Sequence, residues 1–216
     1  MTTDSTIFFL DLVRFTSLTD VHGDEAGADA ASALVDVTTR HVSEDVKLIK
    51  TLGDGVLLSS VDSQSGLAIA SQIVHDLHQL SMGLDVRGGA ARGSVLVRDS
   101  DFFGTTVNLA ARAAALTSPG HFLVTRPVAL VAGAVGLAAE PLGQREVKGF
   151  SQSVELFAID VCDHDGHWIT DPVCGMRLEP AHVTEWEGSG GDAVGFCSAG
   201  CADLFLSAPE RYPAAE

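Results

Sequence analysis

Aromatic and basic residues are both scarce in this chain. Aromatic residues account for 6% of its 216 positions, so alanine, valine and leucine have to fill most of a buried core. Lysine and arginine total 13 against 29 aspartate and glutamate, which gives a net charge of −16. Such a charge disfavours nonspecific binding to nucleic acid or to an anionic membrane. We therefore expect neither of them as a partner.

The sequence also has no apolar run long enough to cross a bilayer. A spanning helix needs about 20 consecutive apolar residues. The longest candidate, Val128 to Ala139, is shorter and contains Gly133 and Gly136. The first residues lack the basic and apolar regions of a signal peptide. Together these absences lead us to expect a cytoplasmic protein.

Cysteine is absent from the first 161 residues. All four cysteines fall within residues 161–216, which also hold 10 acidic and only 2 basic residues. Such a shift in composition indicates a domain boundary. We predict a first domain over residues 5–160, a linker over 161–167 and a second domain over 168–216. The cysteines are Cys162, Cys174, Cys197 and Cys201.

Apolar runs and helical periodicity mix along residues 5–160. Runs rich in β-branched and aromatic residues predict strands, and apolar residues at helical spacing predict helices. Because the two types do not alternate strictly, we predict an α+β fold with a largely antiparallel sheet. The predicted strands cover residues 7–12, 46–50, 56–60, 84–91, 95–98, 122–125, 138–142 and 154–159. The predicted helices run from about 16 to 39 with a break near Gly23, from 67 to 80, from 104 onward and after Pro127.

Three polar side chains within these elements need an interpretation. Asp11 interrupts the first apolar strand, and a buried carboxylate is costly unless it is paired or bound to a metal. Alternatively, Asp11 caps the following helix. His75 and His78, on the helix over 67–80, are interpreted as surface or partly buried residues and not as metal ligands.

The helix that begins near residue 104 carries two polar residues on one face. Asn108 and Arg112 lie four residues apart, one turn above each other. An amide and a guanidinium aimed at the same point suit a sugar and a phosphate. The alternative is a solvated Arg112 on an ordinary amphipathic helix. Thr105 or Thr106 is predicted to cap the helix.

Five motifs follow one another along residues 5–160. They read F-x-D-L-x-x-F-T at 9–16, I-K-T-L-G-D-G at 49–55, R-x-G-x-x-x-G at 87–93, D-F-F-G-T-T-V-N-L-A-A-R at 101–112 and V-K-G at 147–149. In this order they resemble the catalytic domain of class III adenylate and guanylate cyclases, in particular the compact bacterial type. The resemblance implies a ferredoxin-like domain that cyclises a nucleoside triphosphate and releases pyrophosphate.

Two metal ions at each active site are part of what the resemblance implies. Asp11 and Asp54 would hold two Mg²⁺ or Mn²⁺ ions together with substrate phosphates and water. One ion would lower the pKa of the attacking ribose 3′-hydroxyl, and the other would stabilise the triphosphate. Thr16 and the backbone after Asp11 would contact the phosphates.

The resemblance implies that Lys50 and Asp101 recognise the base of the nucleotide. Adenine offers an acceptor at N1 and a donor at its 6-amino group, which match a lysine donor and an aspartate acceptor. Guanine has the opposite polarity there, and an unpaired buried polar group costs ~1–3 kcal/mol. ATP is therefore the expected substrate, and GTP is the alternative.

The remaining roles concern the ribose and the phosphates. Asn108 would orient the ribose, and Arg112 would stabilise charge at the transferring phosphate. Lys148 and Arg87 would contact the phosphates, although an arginine on a strand can equally be structural. Arg14 departs from the family pattern, because a glycine is usual at that place in the loop that passes the phosphates. Its side chain would change the path of the loop or add a positive charge.

The positions of Lys50 and Asp54 imply a dimer. The two residues are close in sequence, yet one should contact the base and the other the metals, at opposite ends of the substrate. The family resolves this with a head-to-tail dimer whose two sites lie at the interface. We therefore expect a symmetric homodimer in which both chains complete each site.

The cysteine-rich end carries a second series of motifs. They read D-P-V-C-G-M at 171–176, F-C-S-A-G-C-A-D-L-F at 196–205 and P-E-R-Y at 209–212. This series resembles a YHS domain, one of the small TRASH-like, treble-clef-like metal-binding modules. A segment of this size buries little apolar surface, so a metal would supply much of its folding energy.

Three of the cysteines are the predicted ligands of that metal. Cys197 and Cys201 are spaced by one helical turn, so both thiolates can meet one ion that Cys174 reaches from a turn. Zinc is the first expectation and copper is the alternative. The fourth ligand stays open among water and four side chains, and disulfides are the alternative to a metal. The four side chains are Asp171, His182, His164 and His167.

The sequence thus predicts an adenylate cyclase with an appended metal-binding domain. Fusion in one chain suggests, as a hypothesis, that metal or redox state regulates the cyclase through this domain. One alternative is a guanylate cyclase. Another is a non-catalytic cyclase-like scaffold whose working part is the metal-binding module, but such a scaffold does not need the complete set of predicted catalytic residues.

Overall fold

A mixed β-sheet runs through the first 160 residues and fixes the positions of the helices. The computed structural model describes residues 1–80, 83–161, 168–187 and 193–212. The strands of the sheet are β1 (Thr2–Leu12), β2 (Val46–Leu52), β3 (Gly55–Ser60), β4 (Val86–Arg98), β5 (Asp101–Phe103), β6 (His121–Thr125), β7 (Ala139–Arg145) and β8 (Val154–Asp160). Their order across the sheet is β2-β3-β1-β4-β6-β8-β7, and β5 pairs with β4.

The predicted α+β class is confirmed, whereas the prediction of a largely antiparallel sheet holds only loosely. β4 and β6 are parallel, with Gly88 opposite Phe122. The remaining pairs described in this sheet are antiparallel. The helices of the same region are α1 (Phe15–His41), α2 (Ser63–His78), α3 (Thr105–Ala114) and the short α4 (Arg126–Ala129).

The two faces of the sheet carry different helices because side chains alternate along each strand. On β1, Phe8 and Leu10 are fully buried in the cluster that α1 and α2 cover. Ile7 belongs instead to the cluster beneath α3. The same alternation places Asp11 on the face that α3 covers. On this face of β1, apolar side chains are followed near the end of the strand by the carboxylate of Asp11, where the candidate site begins.

β4 is one continuous strand, where the sequence predicted two. Its pairing with β1 extends from Leu12 opposite Val86 to Thr2 opposite Leu96. The polar stretch from Arg92 to Ser94, which reads as a break in the sequence, remains in the ladder because β1 pairs with it. The prediction of two separate strands over 84–91 and 95–98 was wrong for this reason.

The start of α3 also differs from the prediction. Gly104 (φ 129°) is the residue before the helix, and no side chain caps the first turn. Thr106, one of the two predicted caps, instead donates from Oγ1 to the carbonyl oxygen of Ser94 at 2.8 Å. This bond ties the first turn of α3 to β4. The break predicted in α1 is confirmed at Gly23 (φ 88°).

The last part of the chain packs against the first. This C-terminal segment, defined here as residues 168–187 and 193–212, contains β9 (Ile169–Thr170), β10 (Arg177–Leu178), β11 (Glu185–Glu187), β12 (Val194–Phe196) and α5 (Ala199–Ser207). Val173, Phe196 and Ala202 are buried in the same apolar cluster as Leu10 and Val86. The two parts therefore share a core. The predicted linker lies almost wholly outside the described residues, and the domain bounds stay a prediction.

No helix in the described parts of the chain is both long enough and apolar enough to cross a membrane.

The close approach of α3 to β4 yields a prediction about stability. A Cβ at Gly89 would lie 2.0 Å from the carbonyl oxygen of Ala110 and 2.4 Å from the amide nitrogen of Ala114. Because both atoms are backbone, Gly89→Ala must displace α3, and we expect a loss of about 1–3 kcal/mol in the free energy of unfolding. Urea denaturation measures it.

Gly133→Ala is the matched control. A Cβ at Gly133 meets nothing within 4 Å, so this change should leave the urea midpoint almost unaltered. Equal midpoints for the two variants would show that α3 is not held at the distance described.

Candidate active site

Two of the predicted metal-binding carboxylates meet at one end of the central strands. Asp11 lies near the end of β1, and its Oδ2 accepts hydrogen bonds from Arg87, at 3.0 Å from Nε and 2.8 Å from Nη2. Asp54 occupies the two-residue turn between β2 and β3, where Gly53 adopts φ 67°. Its carbonyl oxygen accepts from the amide of Leu12 at 3.0 Å. The turn is thereby fixed against the end of β1.

The electrostatics of this pair favour a cation. Burial raises the pKa of Asp11, the hydrogen bond from Arg87 opposes that rise, and the negative charge of Asp54 adds to it. Two carboxylates that repel each other in a half-buried place are stabilised by a divalent cation, and carboxylate oxygens are the ligands that Mg²⁺ prefers. The residues present thus fit the Mg²⁺ or Mn²⁺ ions expected of them.

Arg87 contacts a carboxylate of the site in this structure. Its guanidinium holds Asp11, with side chains that are 35% and 17% exposed. The contact with phosphates predicted for Arg87 stays a prediction. The arrangement agrees with the structural role that the sequence left open for this residue.

The two residues predicted to read the base contact each other. Nζ of Lys50 on β2 donates to Oδ2 of Asp101 on β5 at 2.8 Å. The hydrogen bond from Lys50 lowers the pKa of Asp101. The amide of Phe102 donates to the other carboxylate oxygen at 2.7 Å, and Nζ lies 5.5 Å from the ring centroid of Phe103. Because the two side chains remain 30% and 32% exposed, a ligand can reach this pair.

Three further predicted residues line one cavity. Asn108 and Arg112 project from the exposed face of α3, as their spacing predicts, and Lys148 follows from the loop after β7. With Gly149 and Phe150 they enclose about 260 Å³. Among the described residues, neither Asp11 nor Asp54 lines this cavity.

Thr16 belongs to none of these three groups. It is exposed in the first turn of α1 and lines a cavity of about 480 Å³ with Phe15, Thr19, Asp20 and Asp24. The residue before this helix, Arg14, has a left-handed backbone (φ 56°). The predicted site residues are thus brought together in three groups within one chain.

A cysteine cluster lies between α1 and the C-terminal segment. Sγ of Cys197 is 3.6 Å from Sγ of Cys174 and 3.6 Å from Sγ of Cys201. Nε2 of His22 lies 3.4 Å from Sγ of Cys197 and 3.8 Å from Sγ of Cys201. The four side chains could hold one metal ion, since their ligand atoms all lie within 4.8 Å of one another. The three thiols are free, so the described cysteines form no disulfide.

The thiols share protons unequally. Hydrogen bonds from Cys174 and Cys201 lower the pKa of Cys197. The bond to Cys197 raises the pKa of Cys174. A thiophilic metal binds such sulfurs as thiolates and displaces their protons.

His22 was missed by sequence reasoning. Of the four side chains predicted as alternatives, the two that the structure describes lie outside the cluster. Asp171 is fully buried. Its carboxylate accepts hydrogen bonds from the backbone amides of Val173 at 2.8 Å, Cys174 at 3.3 Å and Cys197 at 2.9 Å. His182 is exposed and lies outside the cluster. Cys162, His164 and His167 lie outside the described residues. No local pattern in the sequence marks His22, because its partners are more than 150 residues away.

The C-terminal segment also contacts the loop between β1 and α1. Nη1 of Arg14 donates to the carbonyl oxygen of Pro172. A Cβ at Gly175 would lie 2.8 Å from Cδ of Arg14, so a glycine is needed where the side chain of Arg14 crosses. The departure from the family pattern at Arg14 thus coincides with an intramolecular contact.

A buried charged group reinforces this interface. Arg177 is 7% exposed, and its Nη1 lies 3.5 Å from Oδ1 of Asp85 and 2.8 Å from Nδ1 of His78. The carbonyl oxygen of Asp85 accepts the amide of Val13 at 2.9 Å. His78 is only 4% exposed, so the interpretation of it as a surface or partly buried residue was wrong. The C-terminal segment covers it.

The fold itself is that of the nucleotide cyclases. The adenylyl cyclase CyaB from P. aeruginosa superposes with a TM-score of 0.64 at 20% identity, over 76% of this chain and 97% of that one. The guanylate cyclase domain of RhGC from Catenaria anguillulae, solved in complex with GTP, superposes with a TM-score of 0.62 at 20% identity, over 74% of this chain and 97% of that one. At such identity the likeness shows the fold alone.

The chain belongs to the adenylate and guanylate cyclase catalytic domain family, whose model matches residues 1–161. A pH-sensitive adenylate cyclase from Mycobacterium tuberculosis is 31% identical over 158 residues, which cover 71% of this chain and 40% of that protein. An adenylate cyclase from Streptomyces coelicolor is 35% identical over 117 residues, 54% of this chain and 31% of that protein. The chain thus spans less than half the length of these curated relatives.

The buried carboxylate of Asp171 yields a prediction about the C-terminal segment. Asp171→Ala leaves the amides of Val173, Cys174 and Cys197 without their acceptor, and each unpaired buried group costs about 1–3 kcal/mol. We expect amide hydrogen exchange over residues 171–176 and 194–201 to accelerate at least about tenfold. Mass spectrometry of exchanged peptides measures this change.

Asp203→Ala serves as its control, because Asp203 is exposed on α5 of the same segment. Exchange over the two stretches should then match that of the unaltered chain. If Asp171→Ala also leaves the rates unchanged, the carboxylate does not hold the two cysteine loops together.

Proposed function

We propose that this chain is an adenylate cyclase that converts ATP to 3′,5′-cyclic AMP and pyrophosphate. The observation that carries the proposal is the contact between Lys50 and Asp101, 2.8 Å apart and both partly exposed. A lysine donor beside a carboxylate acceptor matches N1 and the 6-amino group of adenine, whereas guanine presents the opposite polarity. The adenylate cyclase names of the sequence relatives support the same choice.

The active site is proposed to form between two copies of the chain. The cavity lined by Asn108, Arg112 and Lys148 contains neither Asp11 nor Asp54 among its described lining residues. In each site, one copy would therefore provide Asp11 and Asp54, and the other copy would provide the cavity with Asn108, Arg112 and Lys148. A symmetric head-to-tail homodimer with two sites satisfies this requirement.

Each group then has a task in the cyclisation. Asp11 and Asp54 would hold two Mg²⁺ or Mn²⁺ ions, which would supply neutralisation of the phosphate charge and a lower pKa of the ribose 3′-hydroxyl. Asn108 orients the ribose so that O3′ faces the α-phosphorus. Arg112 donates to the phosphate oxygens on which charge accumulates.

Two residues secure the triphosphate at its other end. Lys148 is a point charge for the leaving pyrophosphate, and Thr16 and the loop backbone donate to the phosphates. Arg87 keeps Asp11 ionised and correctly oriented through its two hydrogen bonds. The protein mainly positions the transferring phosphoryl group and neutralises its charge, and it takes little part in covalent chemistry.

The C-terminal segment is proposed to be a YHS domain that binds zinc, or copper as the alternative, through Cys174, Cys197 and Cys201. Its metal or redox state is proposed to regulate the cyclase. The shared apolar core and the contact between Arg14 and Pro172 support such a coupling, because they connect the segment to the loop before Thr16.

Substrate choice tests the proposal directly. The purified chain with Mg²⁺ or Mn²⁺ should produce cyclic AMP from ATP faster than cyclic GMP from GTP. Lys50→Ala should lower kcat/KM for ATP by about tenfold to a hundredfold, because it removes one donor to the buried base. Lys47→Ala, an exposed lysine on the same strand, should leave kcat/KM unchanged.

The outcomes separate the alternatives. Faster turnover of GTP than of ATP would identify a guanylate cyclase. Absence of any cyclic product under all four combinations of nucleotide and metal would point to a scaffold.

Complementation tests the shared site. Asp54→Ala and Asn108→Ala should each be inactive alone. The first change removes a metal-binding carboxylate, and the second removes a donor to the transition state, a loss that costs ~10²–10³ in kcat. After subunit exchange, half of the dimers contain one of each chain and keep one intact site, so about a quarter of the original activity should return.

The matched control mixes Asp54→Ala with Asp11→Ala. Both changes affect the same half of a site, so a mixed dimer has no intact site and no activity should return. Recovery in this control, or no recovery in the first mixture after verified exchange, would refute the head-to-tail arrangement.

A further inference from the structure

The spacing within the cysteine cluster is that of a tetrahedral zinc site. With Zn–S bonds of about 2.3 Å and Zn–N bonds of about 2.0 Å, neighbouring sulfurs lie about 3.8 Å apart and a nitrogen lies about 3.5 Å from a sulfur. The S···S distances from Cys197 to Cys174 and to Cys201 are both 3.6 Å, the N···S distances from His22 to Cys197 and to Cys201 are 3.4 and 3.8 Å, and all four ligand atoms lie within 4.8 Å of one another. A disulfide would need about 2.0 Å.

The ligand loops are held in place without the metal. The two carboxylate oxygens of Asp171 join the turn that carries Cys174 to the strand end that carries Cys197. Oγ of Ser198 accepts the amide of Cys201 at 3.3 Å and so caps the first turn of α5. The three thiols therefore converge by backbone hydrogen bonding, and the fourth corner is filled from another part of the chain.

We propose that His22 is the fourth ligand of this zinc site. The bound ion then fastens the C-terminal segment to α1, next to the loop between β1 and α1. His22 comes from α1 of the cyclase domain, whereas the three cysteines come from the C-terminal segment. The ion is thus a cross-link between two parts of the chain that the sequence separates by about 150 residues.

The place of His22 on α1 connects the ion to catalysis. The break at Gly23 (φ 88°) separates the piece from Phe15 to His22 from the rest of α1. The C-terminal segment contacts this piece at both ends, through Cys197 and Cys201 at His22 and through Pro172 at Arg14. Thr16 lies between these two contacts.

A zinc ion bound to His22, together with the contact between Arg14 and Pro172, fixes both ends of this piece and so the loop in front of it. This part of the inference rests on the proposed function, in which the loop and Thr16 bind the triphosphate. Loss of zinc should leave the loop free to move and raise KM for ATP, with a smaller effect on kcat. Coupling between two sites is commonly worth about fivefold or more, and we expect an increase of that size.

Cobalt binding to the full chain tests the ligand set without any assay of activity. Zinc-free protein titrated with Co²⁺ should take up one ion per chain and show the intense visible absorption of a four-coordinate site with thiolate charge transfer. His22→Ala should weaken binding at least about tenfold, the least that loss of a supporting group near a metal costs. His22→Cys should restore tight binding with stronger charge transfer.

Two histidine controls make the test specific. His75→Ala changes an exposed histidine on α2 and should leave the titration unaltered. His182→Ala changes the exposed histidine of the C-terminal segment and should also have no effect. An unaltered spectrum and affinity in His22→Ala, or a loss in His182→Ala, would overturn the proposed ligand.

The coupling has its own readout. In the unaltered chain, removal of zinc should raise KM for ATP, and addition of zinc should return KM to its original value. In Cys197→Ser, KM should be high and should not change when zinc is added or removed. An unchanged KM after verified removal of zinc overturns the coupling and leaves the ligand set standing. If the chain forms no cyclic nucleotide, the proposed function fails, while the cobalt spectra still decide whether His22 is a ligand.

Discussion

The antiparallel ladder between β1 and β4 is the constraint on which the rest of the structure depends. It continues unbroken from Thr2 opposite Leu96 to Leu12 opposite Val86. β3 pairs with the other edge of β1, so this strand is central and each of its faces supports a helical layer. Asp11 stands opposite Arg87 because of this register, and a slip by one residue would turn the carboxylate to the opposite face.

The distribution of charge supports the proposed division of the active site between two copies of the chain. Carboxylates collect at the end of β1, and cationic groups collect in the cavity beside α3. Each collection is unfavourable by itself and would be stabilised by a ligand of opposite sign, a metal ion in one place and a phosphate in the other. Within the chain, the contact of Arg87 with Asp11 and the contact between Lys50 and Asp101 moderate the charge.

The C-terminal segment contacts the cyclase domain through buried and charged groups. Its buried Arg177 lies beside Asp85, and the backbone of Asp85 accepts the amide of Val13. Arg14, which the family pattern makes unexpected, contacts Pro172. The residue that is unusual for the family is therefore one of those that contact the part of the chain beyond the family domain.

The sequence by itself predicted most of the elements and the residues of the candidate site. Strand periodicity located β1, β2 and β3, and helical spacing placed Asn108 and Arg112 on one face, because these signals depend only on neighbours along the chain. It could not join β4 into one strand, since a polar stretch stays in a ladder only when a partner strand is present. It could not find His22 or the burial of His78, because each depends on a contact with the C-terminal segment. Tertiary structure decided those features, since the closeness of His22 to the cysteines and the burial of His78 are defined by what lies nearby in space.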